Sequence, residues 1–383
     1  MNESVFSYSA RVVTILLATI TGLWVRSQQP FFESRVLFGL QSHGYVKSGT
    51  PVIDRMKDGR LVSIFAMSKD TNHKTEKYDI AVSYSDDAGH EWSEPFILFN
   101  HENANDLDPN LIVDGDRILA FSTTVSKLAT HRIDSSDIYM RSSLDGVNWK
   151  REVLLKKPYR YISGKIHRGY RLHDSTLIMG YAWDAMAQKR QPAGNESQMD
   201  NVSSVLRSKD GGLTWTTGGD IYAEYKRIHP KAAGGLCEPA TVVLADGRIM
   251  ALARNGTAKL YQSWSSDHGI TWSQPQPSQL TAHNSPAALW KIEGSNKIVV
   301  VWNESDKERN PLSIAVSGDG GKTWGPSRII AQTGGMQAAY PSLVQAKDGT
   351  FILIWHQATR NNKVLEVRMA RFNLDWLMEN LAQ

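Results

Sequence analysis

The sequence predicts an all-β chain closed into a six-bladed β-propeller, on three observations. A Ser-x-Asp-x-Gly-x-x-Trp box recurs along the chain. Between the boxes recurs an x-Pro step followed by an apolar run, a tight turn and a second apolar run. The tryptophans that close the boxes, at 92, 149, 215, 272 and 324, lie 57, 66, 57 and 52 residues apart. A repeat of that period marks stacked or radially arranged units, each too small to bury its own apolar face.

Composition narrows the field before any motif is read. The chain has 383 residues, a formal net charge of +4, 41% hydrophobic residues, twelve tryptophans and one cysteine, Cys237. Balanced charge with this aromatic content excludes a disordered or polybasic nucleic-acid-binding tail. A lone cysteine excludes a disulfide framework and a cysteine-based zinc module. The basic residues are dispersed, and no P-loop, dinucleotide fingerprint or His-Glu-x-x-His motif occurs, so no nucleic acid, cofactor or metal is expected. The uncharged run from Val12 to Val25 has the length of a signal-peptide core. Residues 1–26 are therefore expected to be a signal peptide or N-terminal anchor of an exported protein, with any membrane association only through that anchor. Residues 27–383 are expected to form one domain.

Four boxes are complete: Ser85 to Trp92, Ser208 to Trp215, Ser265 to Trp272 and Ser317 to Trp324. A shortened copy runs from Ser143 to Trp149. Asp and Gly supply tight-turn chemistry and the tryptophan covers a β-hairpin corner. The second repeat places Pro at the start of an innermost strand, where its missing N–H is tolerated. Its copies start at Thr50-Pro51, Asp108-Pro109, Glu238-Pro239, Ser285-Pro286 and Tyr340-Pro341, with a degenerate sixth at His167. The sixth box is missing because the last blade is shared between the chain ends: roughly Arg35–Val46 would complete the sheet begun by Tyr340–Phe372. Closure removes exposed strand edges.

The strand openings put Thr50, Asp108, His167, Glu238, Ser285 and Tyr340 around one axis. Polar groups at the mouths of apolar strands are unfavourable unless paired or solvated, so six together predict a polar pocket. The loops after the inner hairpins add Asp70, Asn72 and His73, then Asp184, Arg254 and Asn255, Asn303 and Arg309, and His356. A basic cluster, Lys165, His167, Arg168, Tyr170 and Arg171, marks the third blade.

The box is similar to the Asp-box, or BNR repeat, of the sialidase (neuraminidase) superfamily, and the resemblance covers roughly residues 44–372. It implies a glycosidase acting on a terminal acidic sugar, with a glycan as partner. Three arginines of that family clamp a carboxylate. A tyrosine activated by a glutamate attacks the anomeric carbon, since a carboxylate nucleophile would repel the substrate's own. An aspartate serves as acid and base. By this resemblance Tyr340 is the nucleophile, Glu238 its base and Asp70 the acid/base. Arg254 and Arg309 are the clamp; the strand openings and the basic cluster, not the resemblance, add His167, Arg168, Asp108 and Ser285 as further substrate contacts. The family's first arginine, in a Phe/Tyr-Arg-Ile-Pro motif, is replaced: its position in Lys47-Ser48-Gly49-Thr50-Pro51 is Gly49. Lys47 and Arg55 are the nearest cations. Two alternatives stay open: a lyase or histidine-dependent glycosidase acting on uronate-containing glycans and centred on His167, Arg168 and Tyr340, and a non-catalytic glycan-binding propeller.

Overall fold

The computed structural model describes residues 29–37, 44–70, 77–126, 136–156, 159, 162–163, 167–189, 198–359 and 365–379. Residues 1–26, Asn72, His73 and Lys165 lie outside the described residues. The chain is a β-propeller; its described strands fall into sheets of eight, ten, four and four strands, within which six antiparallel runs of four strands follow one another. The first comprises Lys47–Arg55, Leu61–Ser68, Tyr78–Ser85 and Phe96–Phe99, and the second Ala104–Asp114, Arg117–Ser126, Asp137–Ser143 and Val153–Leu154. The third comprises Arg168–Arg171, Leu177–Asp184, Asp200–Ser208 and Thr216–Thr217, and the fourth Cys237–Val243, Ile249–Arg254, Lys259–Ser265 and Gln276–Thr281. The fifth comprises Ala288–Lys291, Ile298–Asn303, Leu312–Ser317 and Arg328–Ala331. The sixth takes Met336–Gln345, Phe351–Thr359 and Leu365–Phe372 from the end of the chain and Phe32–Val36 from its beginning.

The closing strand, Phe32–Val36, starts upstream of the expected Arg35–Val46 and shares Arg35 and Val36 with it. Phe32 pairs with Phe372, and Val36 with Arg368. An aromatic anchor sets this register: the Phe32 ring lies 6.3 Å from Phe372 and 4.7 Å from Trp376. Aromatic contact across the strand pair outweighs sequence proximity to the first inner strand.

The boxes are hydrogen-bonded corners. In the third unit Ser208 Oγ donates to Asp210 at 2.8 Å and accepts from the Gly212 amide at 2.7 Å. Asp210 accepts from the amides of Leu213 and Thr214, and Trp215 Nε1 donates to the Gly212 carbonyl at 3.1 Å. The same Ser–Asp and Ser–Gly bonds recur at Ser85, Ser143, Ser265 and Ser317. Ser208→Ala leaves a buried amide without its acceptor and is expected to cost about 1–2 kcal/mol, read from the urea midpoint. Trp302 and Trp355, both within second strands, belong to the apolar core and are 3% and 1% exposed.

The inner strands carry the feature that builds the site. Thr50, Asp108, Glu238 and Tyr340, each immediately before a proline, have φ of 46°, 42°, 47° and 55°. At each the ladder to the second strand slips, between Gly49 and Val52, Leu107 and Asn110, Cys237 and Ala240, and Ala339 and Ser342. These are β-bulges, which bend a strand and re-aim a side chain. Left-handed backbone disfavours any residue with a Cβ, by roughly 1–2 kcal/mol. The flanking ladders hold all four positions in that conformation, as strain is held at functional sites.

Candidate functional site

Strand register brings the chemistry together. Cys237 pairs with Arg254, so Arg254 stands beside the bulge at Glu238. Ala339 pairs with His356, so His356 stands beside the bulge at Tyr340. Arg254 Nη1 donates to Glu238 Oε2 at 2.7 Å and to the Tyr340 hydroxyl at 3.4 Å. Its Nε donates to Asn284 Oδ1 at 2.6 Å. Arg309 reaches the same asparagine from the next loop: its Nε and Nη2 donate to the Asn284 carbonyl at 3.1 and 2.8 Å. The Arg309 guanidinium lies 5.1 Å from the centre of the Tyr340 ring. One guanidinium nitrogen therefore holds both the carboxylate and the phenol, and Asn284 ties that guanidinium to a second.

Electrostatics follow from burial. Burial pushes the Glu238 carboxyl above the usual carboxylate range, Arg254 and Arg309 draw it back, and Asp108 adds to the upward push. The Glu238–Arg254 pair is almost fully buried, with side chains 10% and 6% exposed. Two histidines pack around the bulges. His167 Nε2 donates to the Glu238 carbonyl at 3.3 Å, and the His356 ring sits 4.6 Å from that of Tyr340. Burial lowers the pKa of His167 to about 4 and of His356 to about 3. Both are neutral at physiological pH.

That neutrality makes stability depend on pH. A histidine whose folded pKa lies below its unfolded value of about 6.5 takes up more protons when unfolded. Its contribution is full above pH ~6.5 and is lost as pH falls toward the folded pKa. Lowering the pH from 7.5 to 5 is expected to reduce unfolding free energy by roughly 2 kcal/mol per histidine. His356→Gln should flatten the dependence of the urea midpoint over that window.

The remaining sequence-derived residues are placed as follows. Asp108 stands on the equivalent bulge of the second unit and acts electrostatically on Glu238. Asp70 follows the second strand of the first unit, its amide donating to Ser68 Oγ at 3.2 Å. His167 meets the cluster through the Glu238 backbone only, among its described bonds. Arg168 is engaged elsewhere: its Nη1 lies 3.4 Å from Asp54 and its guanidinium 3.9 Å from the centre of the Trp290 ring. It joins the third unit to the first and fifth across the axis. Ser285 is buried in a local turn, its amide bonding the His283 carbonyl at 2.6 Å.

At Gly49 itself the space is apolar. An ideal Cβ there would meet Leu365 Cδ2 at 2.9 Å, so an apolar side chain fills the space. Arg55 is at the far end of the same nine-residue strand, paired with Glu293 at 2.6 Å. At about 3.3 Å per residue the two ends are more than 20 Å apart. Lys47 is two residues before Gly49, on the same side of the strand, and is fully buried.

Asn284 escaped the sequence reading because the motif drew attention to the residue directly before Pro286. It stands one residue further upstream, next to Ser285, and only the geometry shows that it clamps two arginines. Among the described residues, no group of three His, Cys, Asp or Glu side chains is placed to hold a metal ion. Nor is any helix among them long and apolar enough to cross a membrane.

A propeller with serine–aspartate–glycine–tryptophan corners and an axial cluster of Tyr, Glu and Arg defines the class of protein. Residues 45–353 match the BNR repeat-like domain family, and the chain belongs to it. The fold is similar to that of a Hadza microbial sialidase, with a TM-score of 0.74 and 16% identity over 90% of this chain and 69% of the other. It is similar to a protein of unknown function from Dyadobacter fermentans, with a TM-score of 0.71 and 16% identity over 89% of this chain and 98% of that one. It is also similar to Trypanosoma rangeli sialidase in complex with the inhibitor DANA, with a TM-score of 0.70 and 16% identity over 92% of this chain and 61% of that one. At these identities the likeness is one of fold. No curated protein matches the chain.

Proposed function

We propose that the protein is an exported glycoside hydrolase that releases a terminal acidic sugar, with Tyr340 as nucleophile and Glu238 as its base. The observation that carries this reading is the shared hold of Arg254 Nη1 on Glu238 and Tyr340. A phenol is a weak nucleophile unless a base takes its proton as it attacks. Glu238 is buried beside it, and desolvation raises the basicity of the carboxylate. Arg254 and Arg309 draw the other way and keep Glu238 available as the charged form.

In the first step the Tyr340 oxygen bonds to the anomeric carbon while Glu238 accepts the phenolic proton. Asp70 protonates the departing glycosidic oxygen. In the second step Asp70 takes a proton from water, which attacks the anomeric carbon and breaks the bond to Tyr340, and Glu238 returns its proton. Two displacements retain the anomeric configuration. The sugar's anionic group is drawn to Arg309, the guanidinium without a carboxylate among its described partners. With Gly49 beside Leu365 in place of the family's first arginine, the clamp is weaker than three arginines by one charged contact, worth ~1.5–3 kcal/mol. This favours an acidic sugar held from one side only. The apolar run Val12–Val25 supports export.

A mass-detected screen over sialosides and uronate-containing glycans tests the reading. A hydrolase yields a free acidic sugar, whereas a lyase yields an unsaturated, ultraviolet-absorbing product. The lyase reading draws no support from the geometry, since His167 is bonded to the Glu238 backbone and Arg168 is committed to Asp54 and Trp290.

A further inference from the structure

A cavity of about 340 Å³ opens beside the Tyr340 cluster, lined by His283, Lys307, Glu308, Arg309, Met336 and Gln337. Pockets of roughly 300 Å³ upward are large enough for a small ligand. Arg309 is the wall shared with the cluster. Two of its nitrogens, Nε and Nη2, are spent on the Asn284 carbonyl, and its charge also acts on the Glu238 carboxyl. Lys307 is exposed, and its ammonium has no partner among the described residues. Glu308, the carboxylate on this wall, has a partner of its own.

A pair of histidines adds polar capacity. The His283 ring stands edge-on to that of His229, 4.4 Å away. His283 Nδ1 and His229 Nε2 are buried atoms without a hydrogen-bond partner. Unmade hydrogen bonds of this kind are uncommon in a native fold and ask for an explanation. Met336 gives the same cavity an apolar surface, on which the C–H face of a sugar ring can rest.

We propose that this cavity is a second sugar subsite, which takes an acidic group, carboxylate or sulfate, on the unit adjoining the one that is cleaved. Its adjacency to the scissile bond rests on the glycosidase reading; its preference for an acidic group rests on Lys307 and His283. The substrate class is then an oligosaccharide with acidic groups on two successive units, rather than a neutral chain with one acidic end.

The test separates binding from turnover. The full-chain Tyr340→Phe variant is titrated calorimetrically with galactose, galacturonic acid and galactose 6-sulfate. At least one acidic probe is expected to bind about tenfold or more tightly than galactose, the scale of one charged hydrogen bond. Adding Lys307→Met, or separately His283→Gln, should remove that preference with the unfolding midpoint unchanged. Preference for galacturonic acid assigns a carboxylate, preference for the sulfated sugar assigns a sulfate, and equal gain assigns their shared charge. Equal binding of all three probes, or a preference that survives Lys307→Met, overturns the proposal. In parallel, Lys307→Met in the otherwise native chain is assayed on acidic aryl glycosides with a neutral leaving group. Their kcat/KM should stay within about twofold, because that leaving group carries no acid for the subsite to grip. Absence of any turnover by the native chain, with a Lys307-dependent acidic preference intact, would overturn the glycosidase reading and leave the subsite standing.

Discussion

Tyr340→Phe is expected to lower kcat by at least about a thousandfold on an acidic glycoside, with KM and the unfolding midpoint nearly unchanged. The substitution removes one oxygen, whose described contact is a long 3.4 Å bond from Arg254 Nη1. The ring remains, and with it the packing against His356 and the approach of Arg309. The loss would therefore be one of chemistry and not of architecture. Glu238→Gln should show the same fall in turnover, since an amide cannot accept the phenolic proton. Initial-rate assays of both variants, alongside urea unfolding, check the expectation. Turnover within tenfold of the native rate in Tyr340→Phe would remove this residue from the reaction.

Arg254→Met is expected to produce the largest loss of stability at the site. Removing one member of a buried ion pair strands the other, at a typical cost of about 3–5 kcal/mol. Here the stranded group is Glu238, almost fully enclosed and 2.7 Å from the nitrogen it would lose. The loss should depend on pH in a defined direction. Without Arg254 the folded-state pKa of Glu238 stays above its unfolded value. The protonated form is then favoured by folding, and stability falls as pH rises through the folded pKa. The gap between variant and native protein should be small at pH 5 and wide at pH 7.5. Glu238→Gln added to Arg254→Met should recover most of the lost free energy, because no charge remains to be stranded. A double variant as unstable as Arg254→Met alone would show that packing, not charge, sets the effect.

Local chemistry in this chain was legible, and contacts across the axis were not. The boxes are read from turn-forming residues within eight positions, and their serine–aspartate–glycine bonds follow directly. The x-Pro steps announced the inner strands, and the polar residue before each proline drew attention to Glu238 and Tyr340. That four of these residues are left-handed bulges was hidden, because the residue before a proline ordinarily favours extended backbone. Arg168 illustrates the limit: alternation along its own strand says nothing of Asp54 and Trp290, which come from other units. Asn284 carries no motif of its own and gains its role only when two loops bring Arg254 and Arg309 to it. The closing strand was displaced for a related reason, since the contact of Phe32 with Phe372 spans nearly the whole chain.

The central claim is that Tyr340 and Glu238 make this propeller a retaining glycosidase. The anomeric form of the sugar first released, followed by NMR during turnover of the acidic glycoside found in the screen, tests it most directly. Two displacements through Tyr340 predict that the starting configuration is retained. Inversion, an unsaturated product, or no turnover of any acidic glycoside would contradict the account.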